Sequence, residues 1–344
     1  MTTRIGILGA TGAVGQRLIQ LLAPHEEFSI VALTASSSSE GKPYRDAAKW
    51  RAGTPMPEEI ASIEVVATEP EAVPDDVELL FSSLPSSVGA AVEPAFAEAG
   101  YLVSSNSSNA RMADDVPLII PEINADHLDL LEVQRDERGW EGGLLKNPNC
   151  STITCVATFA ALQQFGLERV HVSTLQAVSG AGYSGVTSME IIDNVLPHIG
   201  GEEEKIETEP RKLLGSFTGS DIELADMTIS ASCNRVPTID GHLENVWIEC
   251  DDEPSPSEVA EALRSYPSLD LPTAPAPFIH VFEEPNRPQP RLDRDRQNGM
   301  QVTVGGIQKS PFGVQYDVLA HNTLRGAAGA SVLNGELLLD RGFL

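Results

Sequence analysis

Arg4-Ile5-Gly6-Ile7-Leu8-Gly9-Ala10-Thr11-Gly12-Ala13-Val14-Gly15 stands almost at the start of the chain, and its reading decides the fold of the first half. A short apolar strand runs into a glycine-rich turn. Leu18, Ile19, Leu21 and Leu22 then keep the spacing of an amphipathic helix, and a second strand is expected at 28–34. That is a βαβ opening. Further strands are expected at 63–67, 79–82, 102–104 and 118–120, with a helix at 88–99 between two of them. The alternation predicts a Rossmann-like, doubly wound α/β unit with a mostly parallel sheet over residues 1–149.

The texture changes after residue 150. Helices are expected at 151–165, 186–195 and 255–264, and strands at 169–178, 228–234, 243–249, 278–282 and 301–308. These strands alternate apolar and polar residues, as in an antiparallel sheet covered on one face. Residues 150–321 therefore read as an α+β catalytic unit with a mixed, largely antiparallel sheet. The stretch 283–299, rich in Pro, Arg and Asp, reads as a surface loop. A small-residue helix near 322–339 closes the chain, and 322–344 is expected to pack back on the first unit.

Glycine lets a backbone approach phosphate oxygens closely, and a helix N-terminus offers unpaired N–H groups to a pyrophosphate. Gly9, Gly12 and Gly15 form a variant of the dinucleotide fingerprint, and their place between strand and helix gives them weight. Helix–strand packing alone is the competing explanation. The second strand ends in small hydroxyl residues, Ser36 to Ser39, with Lys42 nearby and Glu40 between them. An NAD site usually places an acid at this strand end, whereas hydroxyls and a lysine suit a 2′-phosphate. NADP is the expected cofactor.

Asn147-Pro148-Asn149-Cys150-Ser151-Thr152 places a cysteine where a helix opens. A helix N-terminus favours thiolate over thiol, and the thiolate is the nucleophile. A thiolate beside a nicotinamide implies aldehyde oxidation or its reverse through a thioester, with a base nearby. Seven histidines are available. His242 is preferred because Asp240-Gly241 makes a tight turn before it, with Arg235 on the strand leading in. The four cysteines (Cys150, Cys155, Cys233 and Cys250) include no Cys-x-x-Cys pair, which argues against a zinc or dithiol site.

Together the Gly9–Gly15 loop, residues 147–152, the Arg235…His242 pair, Gln176-Ala-Val-Ser-Gly-Ala-Gly-Tyr183 and Leu319-Ala-His-Asn-Thr-Leu-Arg-Gly-Ala-Ala-Gly-Ala-Ser331 resemble the aspartate-semialdehyde dehydrogenases, closest to their archaeal and fungal branch. The resemblance covers essentially the whole chain. It implies that Cys150 is the nucleophile, His242 the acid–base residue and Gln176 the residue orienting substrate or water. It implies that Arg235 grips the substrate α-carboxylate and Glu202 its amino group, with Glu203 and Glu204 as register alternatives. Arg111 and Lys205 would take phosphate, helped by Asn149. Thr11, Ala13, Val14, Ser36, Ser39, Ser83, Gly180 and Asn322 would join the glycines and Lys42 around NADP. The implied reaction is reversible, NADP-dependent reductive dephosphorylation of 4-phospho-L-aspartate to L-aspartate 4-semialdehyde, in the biosynthesis of lysine, threonine, methionine and isoleucine. A homodimer or homotetramer built through the second sheet is implied as well. The alternatives are an acyl-CoA reductase of the malonyl-CoA kind and a non-catalytic NADP-binding sensor.

Composition bounds all of this. The chain has 344 residues, 41% hydrophobic, and carries 50 acids against 23 Lys and Arg for a net charge of −27. Nucleic-acid binders need a basic face, and anionic membranes repel such a surface. There is no apolar run near the ~20 residues that span a bilayer and no signal-peptide pattern, so a cytoplasmic enzyme is expected. The acids are spread through a chain of ordinary hydrophobicity, which suggests a salt-rich cytoplasm where screening tolerates the repulsion. The thermal midpoint should then be higher in molar salt than in dilute buffer; the reverse order in a melt would sink the idea.

Overall fold

The first strand, β1 (Thr3–Leu8), is buried at every position but Arg4, as an inner strand of a parallel sheet must be. It belongs to a computed structural model that describes residues 2–344. After it come α1 (Ala13–Leu22), β2 (Phe28–Thr34), β3 (Val65–Val66), β4 (Leu79–Ser82), α2 (Ser86–Glu98), β5 (Leu102–Ser105), α3 (Leu130–Arg138) and β6 (Gly143–Lys146). The sheet order is β3-β2-β1-β4-β5-β6 and every pairing is parallel. This is the strand order of a dinucleotide-binding fold. Its direction reverses between β1 and β4, which opens a crevice at the carboxyl ends of those strands.

Between Lys146 and Cys150 the chain crosses to a second sheet. There follow α4 (Cys150–Leu162), β7 (Leu167–Gln176), α5 (Glu202–Leu213), β8 (Thr228–Arg235), β9 (His242–Cys250), α6 (Pro256–Arg264), β10 (Ile279–Val281), β11 (Val302–Ser310), β12 (Gly313–Ala320) and α7 (Gly329–Asp340). The order is β8-β7-β9-β12-β11-β10. The inner pairings are antiparallel and the two outer ones parallel, so the sheet is mixed. Helix α4 is apolar nearly all round and lies in this core, with Ile153, Val156 and Phe159 in one cluster with Val170, Val246 and Val318. Helix α7 returns to the first sheet, where Val332, Leu337 and Leu338 share a core with Ile5, Ile7, Leu79 and Phe81. Gly335 permits that approach, since a Cβ there would meet Phe81 at 2.8 Å.

Several expectations shift. The strand expected at 118–120 is a single bridge between Leu118 and Lys146, and the sheet's edge is β6 instead. Only Ser188–Ile191 of the helix expected at 186–195 is helical. The 283–299 stretch is partly built in, because buried Asp293 accepts from the Arg287 guanidinium and from the Gln289 N–H.

One buried charge pair ties the carboxyl ends of three strands together. Lys146 on β6 meets Glu93 on α2, both essentially without solvent contact. The Ser82, Ser105 and Ser107 hydroxyls complete the carboxylate's shell at 2.7, 2.7 and 2.9 Å. Removing one member of a buried pair strands the other. Glu93→Ala should cost about 3–5 kcal/mol in urea unfolding; a loss under about 1 kcal/mol would show the pair to be dispensable.

Candidate active site

Strand register brings the reactive side chains to one end of the second sheet. β7 and β8 are parallel and in register at Gln176 and Arg235, so both side chains emerge at the same edge. β9 runs antiparallel to β7 and begins at His242, at that same edge. Helix α4 starts beneath them with Cys150. Its N-cap is Asn149, whose Oδ1 accepts from the Ser151 and Thr152 N–H groups at 2.9 and 3.1 Å.

Cys150 Sγ and His242 Nε2 are 3.3 Å apart. The Ala177 N–H donates to His242 Nδ1 at 3.1 Å, so the neutral ring carries its proton on Nε2, facing the sulfur. Burial, with Arg235 and His321, pushes the His242 pKa down to about 3. Burial and the Glu202 charge push the Cys150 thiol up to about 12, against the pull of Arg235, Arg111 and Lys205. The side chain rests as a thiol, although it sits at a helix N-terminus. Asn149 already occupies two of that terminus's donors, which weakens the effect expected from position alone.

Glu202, on α5, receives both contacts of Asn149 Nδ2 (3.1 and 2.9 Å), Gln176 Nε2 at 3.4 Å and Lys205 Nζ at 2.6 Å. Burial raises its pKa, but Lys205, Asn149 and Gln176 outweigh that and hold the carboxyl below its usual range. Of the three register alternatives Glu202 lines the cleft, whereas Glu203 accepts from the Cys233 N–H of β8 and Glu204 is exposed. Arg235 Nη1 donates to the Ala177 carbonyl at 2.9 Å, with Gln176 Oε1 at 3.5 Å. Arg111 comes from the first unit and pairs with Glu209 at 2.8 Å.

All eight candidates for catalysis and substrate binding thus gather, and a cleft of about 950 Å³ joins most of them to the glycine loop. His242 lies behind the wall, where Gly180 keeps the approach open: a Cβ there would meet Arg235 Nη1 at 2.8 Å and His242 Cε1 at 3.3 Å. Gly326, which sequence reading missed, does the same for Cys150, since a Cβ there would strike the Cys150 Cβ at 2.6 Å. It lies in a π-helical turn, Leu324–Ala328, a backbone irregularity common at functional sites.

The other end of the cleft fits a dinucleotide. Gly12 caps α1 without a side-chain bond, so the first-turn N–H groups are left to a ligand. A Cβ on Gly15 would collide with Gly9 O at 2.5 Å, while one on Gly12 would meet nothing within 4 Å but Gly9 O. Thr11, Gly12, Ala13, Val14, Ser36, Ser39, Gly180 and Asn322 line the space. Gly9 and Gly15 shape the turn behind it. Ser83 bonds the Leu8 and Gly9 carbonyls, and Lys42 turns to the Ser38 carbonyl, so neither lines the cleft. The cations there are Arg17, Lys49 and Arg51, and Glu40 stays outside. Arg51 stacks on the Tyr183 ring, 3.3 Å from its centroid. Among the described residues no group of side chains could hold a metal ion, and no helix is long and apolar enough to cross a membrane.

Known proteins share this architecture. The family described as "Semialdehyde dehydrogenase, NAD binding domain" matches residues 4–131, and its companion, described as "dimerisation domain", matches residues 159–325. The aspartate-semialdehyde dehydrogenase of Archaeoglobus fulgidus is 53% identical, covering 98% of each chain. The chain belongs to the aspartate-semialdehyde dehydrogenase family. Within this family the Schizosaccharomyces pombe enzyme is 45% identical over 99% of each chain. The crystal structure of the Candida albicans aspartate-semialdehyde dehydrogenase with NADP superposes with a TM-score of 0.92 at 40% identity, covering both chains completely. Both six-stranded sheets and their helices follow that fold.

The protonation states carry a test. With the thiol pKa pushed up to about 12 and His242 neutral throughout, alkylation of Cys150 by iodoacetamide in ligand-free protein should rise about tenfold per pH unit from about pH 7 to 10. A plateau below about pH 8 would instead reveal a thiolate–imidazolium pair.

Proposed function

We propose that the chain catalyses reversible, NADP-dependent reductive dephosphorylation of 4-phospho-L-aspartate to L-aspartate 4-semialdehyde. The observation that carries this reading is the 3.3 Å contact of Cys150 with His242 in a cleft shared with the glycine loop. Membership of the family supports the reaction, and the Candida albicans structure with NADP supports the cofactor. The Arg17, Lys49 and Arg51 side chains near Ser36 and Ser39 supply the positive charge that a 2′-phosphate needs. An acyl-CoA substrate of the malonyl kind offers Arg235 a carboxylate but brings no ammonium to Glu202. A substrate with an amino group and a carboxylate satisfies both, and a Vibrio cholerae relative at 26% identity and TM-score 0.79 was solved with aspartate semialdehyde bound.

The residues divide the work as follows. Arg235 takes the α-carboxylate, since a planar fork suits that group, and Glu202 takes the ammonium. Arg111 and Lys205, with Asn149, hold the phosphoryl group where negative charge develops. Cys150 Sγ forms a bond to the acyl carbon as the bond to the phosphate oxygen breaks, and the thiol proton ends on the released phosphate. NADPH, when bound, supplies the hydride that reduces the resulting thioester. The hemithioacetal oxyanion then collapses, the C–S bond breaks, and its electron pair returns to sulfur. His242 keeps Nε2–H directed at that sulfur, bonding the thiolate as it departs, while Ala177 holds the ring's other nitrogen, and one proton taken up from solvent restores the resting thiol. Gln176, between Glu202 and Arg235, orients the bound substrate.

The finer assignments belong to the same proposal. Residues 1–149 with the returning helix α7 hold NADP, and 150–321 carry catalysis and association. Exposed Met189, Ile192 and Val195 support a homo-oligomer, as does the description of the matched second family. The enzyme works in the cytoplasm, in the route to lysine, threonine, methionine and isoleucine, and its acidity suits a salt-rich interior. The decisive assay is phosphate-dependent reduction of NADP+ with L-aspartate 4-semialdehyde. Cys150→Ala should lose at least about a thousandfold in kcat and still bind NADPH in a fluorescence titration. Substantial turnover by that variant would remove Cys150 from its role.

A further inference from the structure

Helix α5 presents Glu202, Lys205, Glu209 and Lys212 at spacings of three, four and three, which places them on one face. The first two reach the substrate cleft. The second two do not, yet both are almost fully buried. Glu209 Oε1 accepts from Arg111 Nη1 at 2.8 Å, and its Oε2 accepts from the Asn149 N–H at 2.6 Å. One carboxylate therefore grips both the cation that enters the cleft from the first unit and the residue that delivers the nucleophile. Arg111 is fixed elsewhere too. Its Nη2 donates to the Asn106 carbonyl at 2.9 Å, and Lys212 Nζ donates to the carbonyls of Arg111, Ala113 and Val116 at 3.0, 2.6 and 2.7 Å. Nη1 and Nη2 each take one protein acceptor and keep a second N–H, and Arg111 lines the cleft, so the clamped guanidinium keeps donor capacity for a ligand.

We infer that Glu209 is a positioning residue of the anion subsite, holding Arg111 and the Asn149–Cys150 turn in one register across the boundary between the two sheets. The inference rests on the reading of Arg111 as a phosphate ligand. An arginine left free on the loop would have to be ordered by each incoming phosphate, whereas a clamped one is already in place. A glutamine at 209 keeps the volume and can still accept from Asn149. Its amide, however, turns a donor towards the guanidinium.

Phosphate KM in the oxidative direction, with inorganic phosphate as the varied substrate, separates the possibilities. Glu209→Gln should raise phosphate KM at least about tenfold, lower kcat less than about threefold and leave the NADP KM unmoved. In an Arg111→Ala background the same substitution should change phosphate KM by less than about twofold, because the group it positions is gone. An equal effect in both backgrounds, a fall in phosphate KM, or a lowered melting temperature and kcat with phosphate KM unmoved would each overturn the inference. If Arg111→Ala alone leaves phosphate KM unchanged, the reading of Arg111 fails and the inference falls with it. Should Glu209→Gln not fold, Glu209→Asp, which keeps the charge and loses reach, is carried through the same cycle with the same criterion.

Discussion

Everything reactive in this structure depends on how one asparagine is held. Asn149 joins the two sheets, and every polar group it owns serves to fix it or its neighbours, its carbonyl accepting the first helical bond from the Ile153 N–H at 2.9 Å. Oδ1 caps helix α4, Nδ2 is held by Glu202, and the main-chain N–H is held by Glu209. An Asn cap is worth about 1 kcal/mol to a helix. Here it also decides how the next residue behaves, because the N–H groups that could have stabilised a thiolate are already bonded to Oδ1. With those donors committed, burial and Glu202 prevail and Cys150 stays a thiol. The helix start provides position more than activation.

The same segment is anchored on its other side. Asn147 donates to Asn106 Oδ1, the Ala327 carbonyl and Ser331 Oγ at 2.9, 3.2 and 2.6 Å. Arg325, beside Gly326, makes a fully buried bidentate pair with Glu122 at 2.6 and 2.8 Å. A buried ion pair adds little net stability once desolvation is counted, but it is intolerant of misplacement. The returning C-terminal segment, the 106–111 loop and the turn at 147–150 are thus locked to one another by these bonds. This explains why a π-helical turn, an otherwise unfavourable geometry, survives at 324–328: it brings Gly326 against Cys150 while keeping Arg325 in its pair.

The fold was legible where it is local. β1, the glycine turn and α1 are consecutive, so periodicity and turn chemistry find them, and the helix start at Cys150 is announced by Asn149. What escaped is long-range. β6 reads Gly-Leu-Leu-Lys and becomes an edge strand only because β5 lies beside it, while 118–120, equally apolar, is left with one bridge. Helix α5 reads as a solvated charge run, yet Glu202, Glu209 and Lys212 are buried because carbonyls, amides and Arg111 from distant segments meet them. Glu209 carries no signal of its own, since its partners lie 60 and 98 residues away. In the same way the serine run lines the cleft while Lys42, close to it in sequence, bends back to Ser38, and the cations lining that space, Arg17, Lys49 and Arg51, come from other segments.

The charge pattern connects these details to the molecule as a whole. With 50 acids against 23 Lys and Arg, the field far from the surface is negative and opposes phosphorylated ligands. Of the six lysines, Lys42, Lys49 and Lys309 are exposed and the other three are withdrawn from the surface. Lys146 and Lys212 are buried and Lys205 is in the substrate cleft, while Lys49 lines the cofactor end. Long-range repulsion falls off with a screening length of about 10 Å at 0.1 M salt and about 3 Å at 1 M. Contacts at 2.6 to 3.0 Å inside a cleft with low-dielectric walls lie within either length and are screened far less. Salt therefore weakens the surface's opposition to anionic ligands more than it weakens short contacts to Arg111, Lys205 and Arg235, which line the cleft. An acidic exterior and a cationic cleft are compatible in one chain because they act over different distances.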